Sequence, residues 1–205
     1  MKRLLAMLLA LLIVALPALA EEAELLERQA AANAAYARVL LGGERYIPLT
    51  EDARMPEDWK PVRFTLLDMD QDGLCEAIVE LTEWEAFVVL TWEELTDAVY
   101  GGEFVYRGMQ NLKDDGTFTF SSGAMDHGVA ELVYATGGSE ELAMGYLPLA
   151  ESRSEADGTT TYWLDGGAEQ TDEAGYQAFL AQQDAKLDAL WYDYTEENIR
   201  LLLGQ

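Results

Sequence analysis

The segment Asp68-Met69-Asp70-Gln71-Asp72-Gly73-Leu74-Cys75-Glu76 constrains the fold more than any other part of the chain. Aspartates stand at its first, third and fifth positions, a glycine at its sixth and a glutamate at its ninth. The glycine can adopt the positive φ that a tight turn requires. Acidic groups this close together repel one another unless a cation lies between them. The sequence therefore predicts a turn that wraps oxygen ligands around a metal ion.

The spacing suits Ca²⁺, a hard cation that takes about six to eight oxygen ligands at roughly 2.3–2.6 Å. Carboxylates at positions 1, 3 and 5, a main-chain carbonyl at 7 and an acid at 9, bound directly or through water, would converge on it. Those positions are Asp68, Asp70, Asp72, Leu74 and Glu76. A complete EF-hand would also have an acid at position 12, where Val79 stands, so the loop is only EF-hand-like. The alternative is a turn without metal, because Asp and Gly are ordinary turn residues.

The flanks of this loop favour strands rather than helices. Pro61 to Leu67 precedes it, and Leu74 to Leu81 follows with apolar and polar residues in alternation. A period of two with β-branched residues is typical of a strand. We therefore predict strand, calcium loop and strand over residues 62–81. The motif occurs once, which excludes a propeller built from repeated blades.

The N-terminus has the parts of a secretory signal peptide. Lys2 and Arg3 form a positive start, an apolar run follows from Leu4 to Leu16, and Ala18-Leu19-Ala20 supplies small residues for cleavage. The run is short for a membrane span. We therefore expect a signal peptide at 1–20, a single domain at 21–205, and a soluble product, secreted or otherwise extracytoplasmic, without a membrane span after cleavage.

Composition excludes two classes of partner. The chain carries 13 Lys and Arg against 38 Asp and Glu, a formal net charge of −25. A field of this sign repels nucleic acid and anionic membranes, and it attracts cations. Cys75 is the only cysteine, so no disulfide forms within the chain. Its place in the alternation predicts a small buried residue on the apolar face of the second strand.

Helices are predicted near both ends. The apolar residues of Glu22 to Leu41 recur at helical spacing, and Gly42-Gly43 ends that helix. Toward the C-terminus, Thr171 is a candidate N-cap of a helix whose apolar stripe continues to Trp191. A second short helix is predicted to begin at Thr195.

Between these helices the pattern indicates strands and hairpins. Strands are predicted over 84–90, 117–120 and 159–164, a short helical turn at 91–95, a hairpin over 99–106, and another that joins 129–136 to 142–149. The whole predicts an α+β domain, a mostly antiparallel sheet with an N-terminal helix and C-terminal helices.

Together these features resemble a group of uncharacterised exported proteins of Gram-positive bacteria that carry a single Asp-x-Asp-x-Asp-Gly-x-x-Glu loop. The matching pieces are Phe64 to Val79 and Trp191 to Ile199. Cys75 stands where proline is common in that group. The resemblance implies export and one calcium-type loop, and it implies no particular activity.

Signals for catalysis are sparse. His127 is the only histidine, and the nearby Ser121, Ser122 and Asp126 lack the Gly-x-Ser-x-Gly pattern of a nucleophile elbow. One histidine and one cysteine are too few for a usual zinc site. Glu83 and Glu85 form a carboxylate pair of the kind that glycosidases use, although a chain this acidic always contains such pairs.

Aromatic residues offer a last binding signal. Trp84, Trp92, Trp163, Trp191 and Tyr192 are candidates for a sugar-stacking platform, and the alternative is that they belong to the core. Two hypotheses follow. The first is an exported, non-catalytic domain with a structural calcium loop that binds a protein or a cell-wall glycan. The second is a small secreted glycosidase-like hydrolase with structural calcium.

Overall fold

The computed structural model of the protein describes residues 2–50, 53–82, 86–105, 107–123, 126–136 and 142–205, without the side chains of 2–19 and 135–136. The helices are α1 (Lys2–Leu40), α2 (Glu173–Asp184) and α3 (Glu196–Leu202). The strands are β1 (Ile47–Pro48), β2 (Pro61–Leu67), β3 (Glu76–Leu81), β4 (Ala86–Glu93), β5 (Ala98–Phe104), β6 (Phe118–Ser121), β7 (His127–Thr136), β8 (Leu142–Ser154), β9 (Thr160–Leu164), β10 (Glu169–Thr171) and β11 (Tyr192–Asp193). Within the described residues, no helix combines the length and the apolar character that crossing a membrane requires.

The strands form two sheets. The first has the order β1-β5-β4-β3-β2-β11 and is mixed, because β1 runs parallel to β5 while the other neighbours are antiparallel. The second has the order β10-β9-β8-β7-β6 and is antiparallel throughout. The predicted α+β class with helices near both ends is confirmed, and the strands divide between two sheets.

Three layers follow from the two faces of the first sheet. Alternate side chains of a strand point to opposite faces, and Val79 of β3 and Val88 of β4 pack with α1 and α3 in one core. Their neighbours Ile78 and Val89 belong to a second core, which includes Leu132 of the second sheet. The first sheet is therefore covered by helices on one face and by the second sheet on the other.

The predicted hairpin over 99–106 is wrong. Residues Ala98–Phe104 form the single strand β5, which pairs with β4 along its length. Gly101 and Gly102 serve close packing instead of a turn. A Cβ atom on Gly101 would lie 2.6 Å from the Tyr46 ring, and one on Gly102 would lie 2.6 Å from the Met144 sulfur. The helical turn predicted at 91–95 is also wrong for Thr91 to Glu93, which extend β4.

The helix ends differ in part from the prediction. The N-cap of α2 is Asp172, whose side chain accepts a hydrogen bond from the Gly175 amide, and not Thr171. The helix stops at Asp184, so the predicted stripe through Trp191 is broken, and Leu187 beyond it is 72% exposed. Thr195 caps α3 as predicted, and the end of α1 before Gly42 is confirmed.

Candidate metal centre

The register of β2 and β3 brings the two ends of the acidic loop together. Leu67 is the last residue of β2 and lies opposite Glu76, the first residue of β3. The loop therefore leaves the sheet at Asp68 and returns beside it at Glu76. Gly73 has φ +93°, as the turn was predicted to need, and Gln71 also adopts a positive φ of 62°. The predicted arrangement of strand, loop and strand is confirmed.

Three carboxylates converge at this point. Oxygen atoms of Asp68, Asp70 and Glu76 all lie within 4.8 Å of one another, and these three residues could hold a metal ion. Glu76 is only 3% exposed, and the two aspartates are half-buried. Carboxylates that lie this close together and are shielded from solvent need a neutralising partner, either protons or a cation.

Main-chain amides hold one oxygen of each carboxylate. The amide of Gly73 donates to Asp68 Oδ2 (3.1 Å), that of Asp72 to Asp70 Oδ1 (3.3 Å), and that of Met69 to Glu76 Oε2 (2.9 Å). The second oxygen of Asp68, Oδ1, is buried and accepts no hydrogen bond within the described residues. Buried polar atoms normally have a partner, and a cation held by this group would supply one for Oδ1.

The electrostatics of the loop point the same way. Burial, followed by the charges of Asp70, Asp72 and Asp68, raises the pKa of Glu76 to about 8, although the hydrogen bond from the Met69 amide opposes the shift. The pKa of Asp70 is also raised, by burial and then by Asp72 and Asp68. Burial and the charge of Glu76 raise the pKa of the Tyr134 phenol well above its usual value. A cation at the loop would reverse these shifts, since it favours the ionised carboxylates.

Asp72 and Leu74 have other contacts. Asp72 lies outside the converging group, and its Oδ1 accepts a hydrogen bond from the Leu74 amide (2.7 Å). This Asx-type bond fixes the second half of the turn. The Leu74 carbonyl and the Asp72 carboxylate stay predicted ligands, while Asp68, Asp70 and Glu76 are brought together.

The helix α1 supports the loop from a distance in sequence. Gln29 accepts a hydrogen bond from the Cys75 amide through Oε1 (2.7 Å) and donates to Asn33 Oδ1 through Nε2 (2.8 Å). A Cβ atom at Gly73 would contact Leu25 at 3.4 Å. The sequence did not indicate that Gln29 and Leu25 support the loop, because the pattern around them predicts only an amphipathic helix.

An open cleft lies beside the loop. Met69, Asp70 and Gln71 line one part of a cavity of about 380 Å³, and residues 131–134 of β7 line the rest. Three carboxylates are fewer than the ligands that Ca²⁺ takes. For a cation held by these three residues, the cleft would provide room for water ligands.

Cys75 differs from its prediction. It precedes β3 and is half-buried, so it is not a core residue of that strand. Burial, followed by the charges of Asp68 and Glu76, raises the pKa of its thiol. A raised pKa keeps the thiol protonated, and the neutral thiol is a poor nucleophile and metal ligand.

The side chains considered for nucleophilic catalysis, those of Ser121, Asp126 and His127, form hydrogen bonds with residues outside this group. His127 Nδ1 lies 3.1 Å from the Ser152 hydroxyl, and the Ser121 hydroxyl donates to the Gly123 carbonyl (3.0 Å). Asp126 Oδ1 accepts from the Ser154 amide (2.5 Å). These contacts connect strands and turns, and they do not align a serine, a histidine and an acid.

The residues considered for glycoside hydrolysis and sugar stacking include some that the structure does not describe and some that belong to the cores. Glu83, Trp84 and Glu85 lie outside the described residues. Trp92 packs against the core under α1 and Trp191 against the core between the sheets, so these two rings do not share a platform.

No protein-family model matches the chain, and neither does any curated protein or solved structure. The acidic group of Asp68, Asp70 and Glu76 is therefore the feature from which a function is inferred.

Proposed function

We propose that this protein is an exported, non-catalytic binding domain whose loop Asp68 to Glu76 holds one structural Ca²⁺ ion. The observation that carries the proposal is the convergence of Asp68, Asp70 and Glu76, together with a buried Asp68 oxygen, Oδ1, that accepts no hydrogen bond within the described residues. A cation supplies the missing partner for that oxygen.

The donor set favours a hard cation. The converging atoms are all carboxylate oxygens, whereas zinc prefers nitrogen and sulfur. Ca²⁺ fits an irregular loop with a variable number of waters better than Mg²⁺, which demands a compact octahedron and gives up water reluctantly. The Asp72 carboxylate and the Leu74 carbonyl are the further ligands that the spacing suggests.

Export suits this chemistry. The signal-like residues 1–20 would deliver the domain to a compartment where calcium reaches the millimolar range that extracellular sites use. The net charge of −25 argues against nucleic acid. A protein or a cell-wall glycan remains the partner that we propose.

A calorimetric titration tests the metal. We expect one Ca²⁺ per chain with a dissociation constant on the order of 0.1–1 mM, and weaker binding of Mg²⁺. Asp68→Asn should reduce the calcium affinity at least tenfold, because it removes the negative charge of the carboxylate whose Oδ1 has no hydrogen-bond partner within the described residues. Asp157→Asn is the matched control, since it removes one charge from another turn. Equal calcium affinity in wild type and Asp68→Asn, or no binding at 10 times the expected constant, would contradict the proposal.

A further inference from the structure

A second cleft lies away from the metal loop. It has a volume of about 400 Å³ and is lined by the turn at residues 107–110, the strand β6, the beginning of β7 and the helix α2. The residues that line it include Arg107, Gln110, Phe120, His127, Leu180 and Asp184. The cleft beside the acidic loop is lined by β7 farther along, at residues 131–134. The two clefts therefore use different parts of the same strand.

Arg107 is unusual among the arginines of this acidic protein. Every other arginine whose side chain is described forms an ion pair, namely Arg28, Arg38, Arg45, Arg54, Arg63, Arg153 and Arg200. Arg107 is exposed at the cleft and has no ion pair with a described residue, although Asp184 lines the same cavity. A guanidinium without a carboxylate, in a chain with 38 acidic residues, is available to an anion from outside.

The backbone holds Arg107 in an unfavourable conformation. Its φ is +70°, in the left-handed region that residues with a Cβ atom rarely adopt. Its carbonyl accepts a hydrogen bond from the Ser121 amide (3.0 Å), which ties the turn to β6. Strain of this kind persists where the surrounding structure enforces it, often at binding sites.

His127 is fixed on another side of the cleft. Its Nδ1 lies 3.1 Å from the Ser152 hydroxyl, its carbonyl accepts from the Tyr176 hydroxyl (3.0 Å), and its ring contacts that of Tyr176 edge-on at 5.8 Å. The ring is therefore oriented while Nε2 has no hydrogen bond with a described residue. Imidazole nitrogen in this state can donate to or accept from a ligand.

We propose that this cleft binds a small carboxylate ligand that carries a hydrogen-bond donor near the carboxylate. Arg107 binds the carboxylate, since a guanidinium matches two carboxylate oxygens at once. Asp184 accepts from the donor, which is an ammonium or a hydroxyl group, and Phe120 and Leu180 cover the apolar part. Short peptides and sugar acids both present this chemistry. The inference rests on the binding role proposed above and names its site.

Calorimetry or NMR titration in saturating calcium tests this inference with three probes: alanyl-leucine, alanyl-leucinamide and glucuronate. We expect one of the two carboxylates to bind and the amide, which lacks the carboxylate, to bind at least tenfold more weakly. Binding of alanyl-leucine indicates a peptide source, and binding of glucuronate indicates a sugar acid. Failure of both carboxylates to bind would overturn the inference and leave the calcium site unaffected.

Two variants with the same change in charge locate the site. Arg107→Gln should weaken the binding of the carboxylate by about 10- to 100-fold, the range for loss of a hydrogen-bonded charge. Arg45→Gln, which removes an arginine paired with Glu57 elsewhere, should bind as wild type does. Both should keep the calcium affinity of wild type, which shows that they fold. Equal binding of the carboxylate to Arg107→Gln and wild type would place the ligand elsewhere.

Discussion

Glu76 is the residue on which the chemistry of the loop depends. Its carboxylate is buried beside those of Asp68 and Asp70, and one of its oxygens accepts a hydrogen bond from the Met69 amide. In the metal-free protein its pKa of about 8 lies above the ordinary value of 4.5. The folded state therefore holds a proton on Glu76 at neutral pH that the unfolded chain has released.

This shift has a definite sign for stability. Between pH of about 4.5 and about 8 the folded metal-free protein binds more protons than the unfolded chain, so its stability falls as the pH rises through that window. Calcium bound as proposed would replace this proton. We therefore expect calcium affinity to rise with pH below about 8, by up to about tenfold per pH unit.

Calorimetry in two buffers of different ionisation enthalpy measures the exchange. At pH 7 we expect about one proton to be released for each Ca²⁺ bound, because Glu76 is then mostly protonated. Glu131→Gln, which changes an acid of the neighbouring cleft, should release the same number. Proton release that is zero in wild type would show that Glu76 is already ionised.

At the level of single residues, the sequence identified the carboxylates of the loop, but it did not indicate which of them converge or how deeply each is buried. The alternation of Asp68, Asp70 and Asp72 indicates three equivalent ligands, yet the Asp72 side chain is engaged by the Leu74 amide. Glu76 is more buried than its place at the ninth position suggests, because the pairing of β2 with β3 carries it into the protein. Burial of this kind depends on tertiary packing, which a local motif does not contain.

At the level of elements, the hairpin β2–β3 is held by a contact with the helix α1, which ends at Leu40, twenty residues before β2 begins at Pro61. Gln29 on α1 accepts the hydrogen bond of the Cys75 amide, immediately before Glu76. We expect Gln29→Ala to destabilise the protein by about 1–3 kcal/mol, the usual range when a half-buried amide loses its partner. The calcium affinity should fall as well, because the position of Glu76 depends on this contact.

Chemical denaturation with and without calcium measures both effects. Glu27→Ala changes an exposed residue of the same helix and should alter neither stability nor affinity appreciably. If Gln29→Ala matched Glu27→Ala in both measurements, the helix would not support the loop.

Elements with a strong local signal were predictable, and those decided by packing were not. The strands around the loop follow from their period of two, and α3 follows from its Thr195 cap. Gly101 and Gly102 suggested a turn, but they lie in β5 because the Tyr46 ring and the Met144 side chain need the space. The predicted continuation of the apolar stripe of α2 is wrong beyond Asp184, where the apolar Leu187 and Leu190 lie exposed.

At the level of the whole molecule, the acidic loop lies where the layers meet. Met69 within it is buried in the core between the two sheets, while its neighbour Gly73 faces Leu25 of α1. An ion bound here would neutralise charge at a junction of all three layers. Its effect should therefore appear in global unfolding.

Melting curves in calcium and in chelator, for wild type and Asp70→Ala, test the calcium site most directly. Ligand that binds only the folded state stabilises it by about 1.4 kcal/mol at ten times its dissociation constant. Wild type should melt about 2–4 °C higher in calcium, and Asp70→Ala should show no shift. In chelator the variant should melt at or slightly above wild type, because it relieves repulsion with Asp68 and Glu76. A wild type that melts at the same temperature in calcium and in chelator would contradict the calcium site and leave a simple turn.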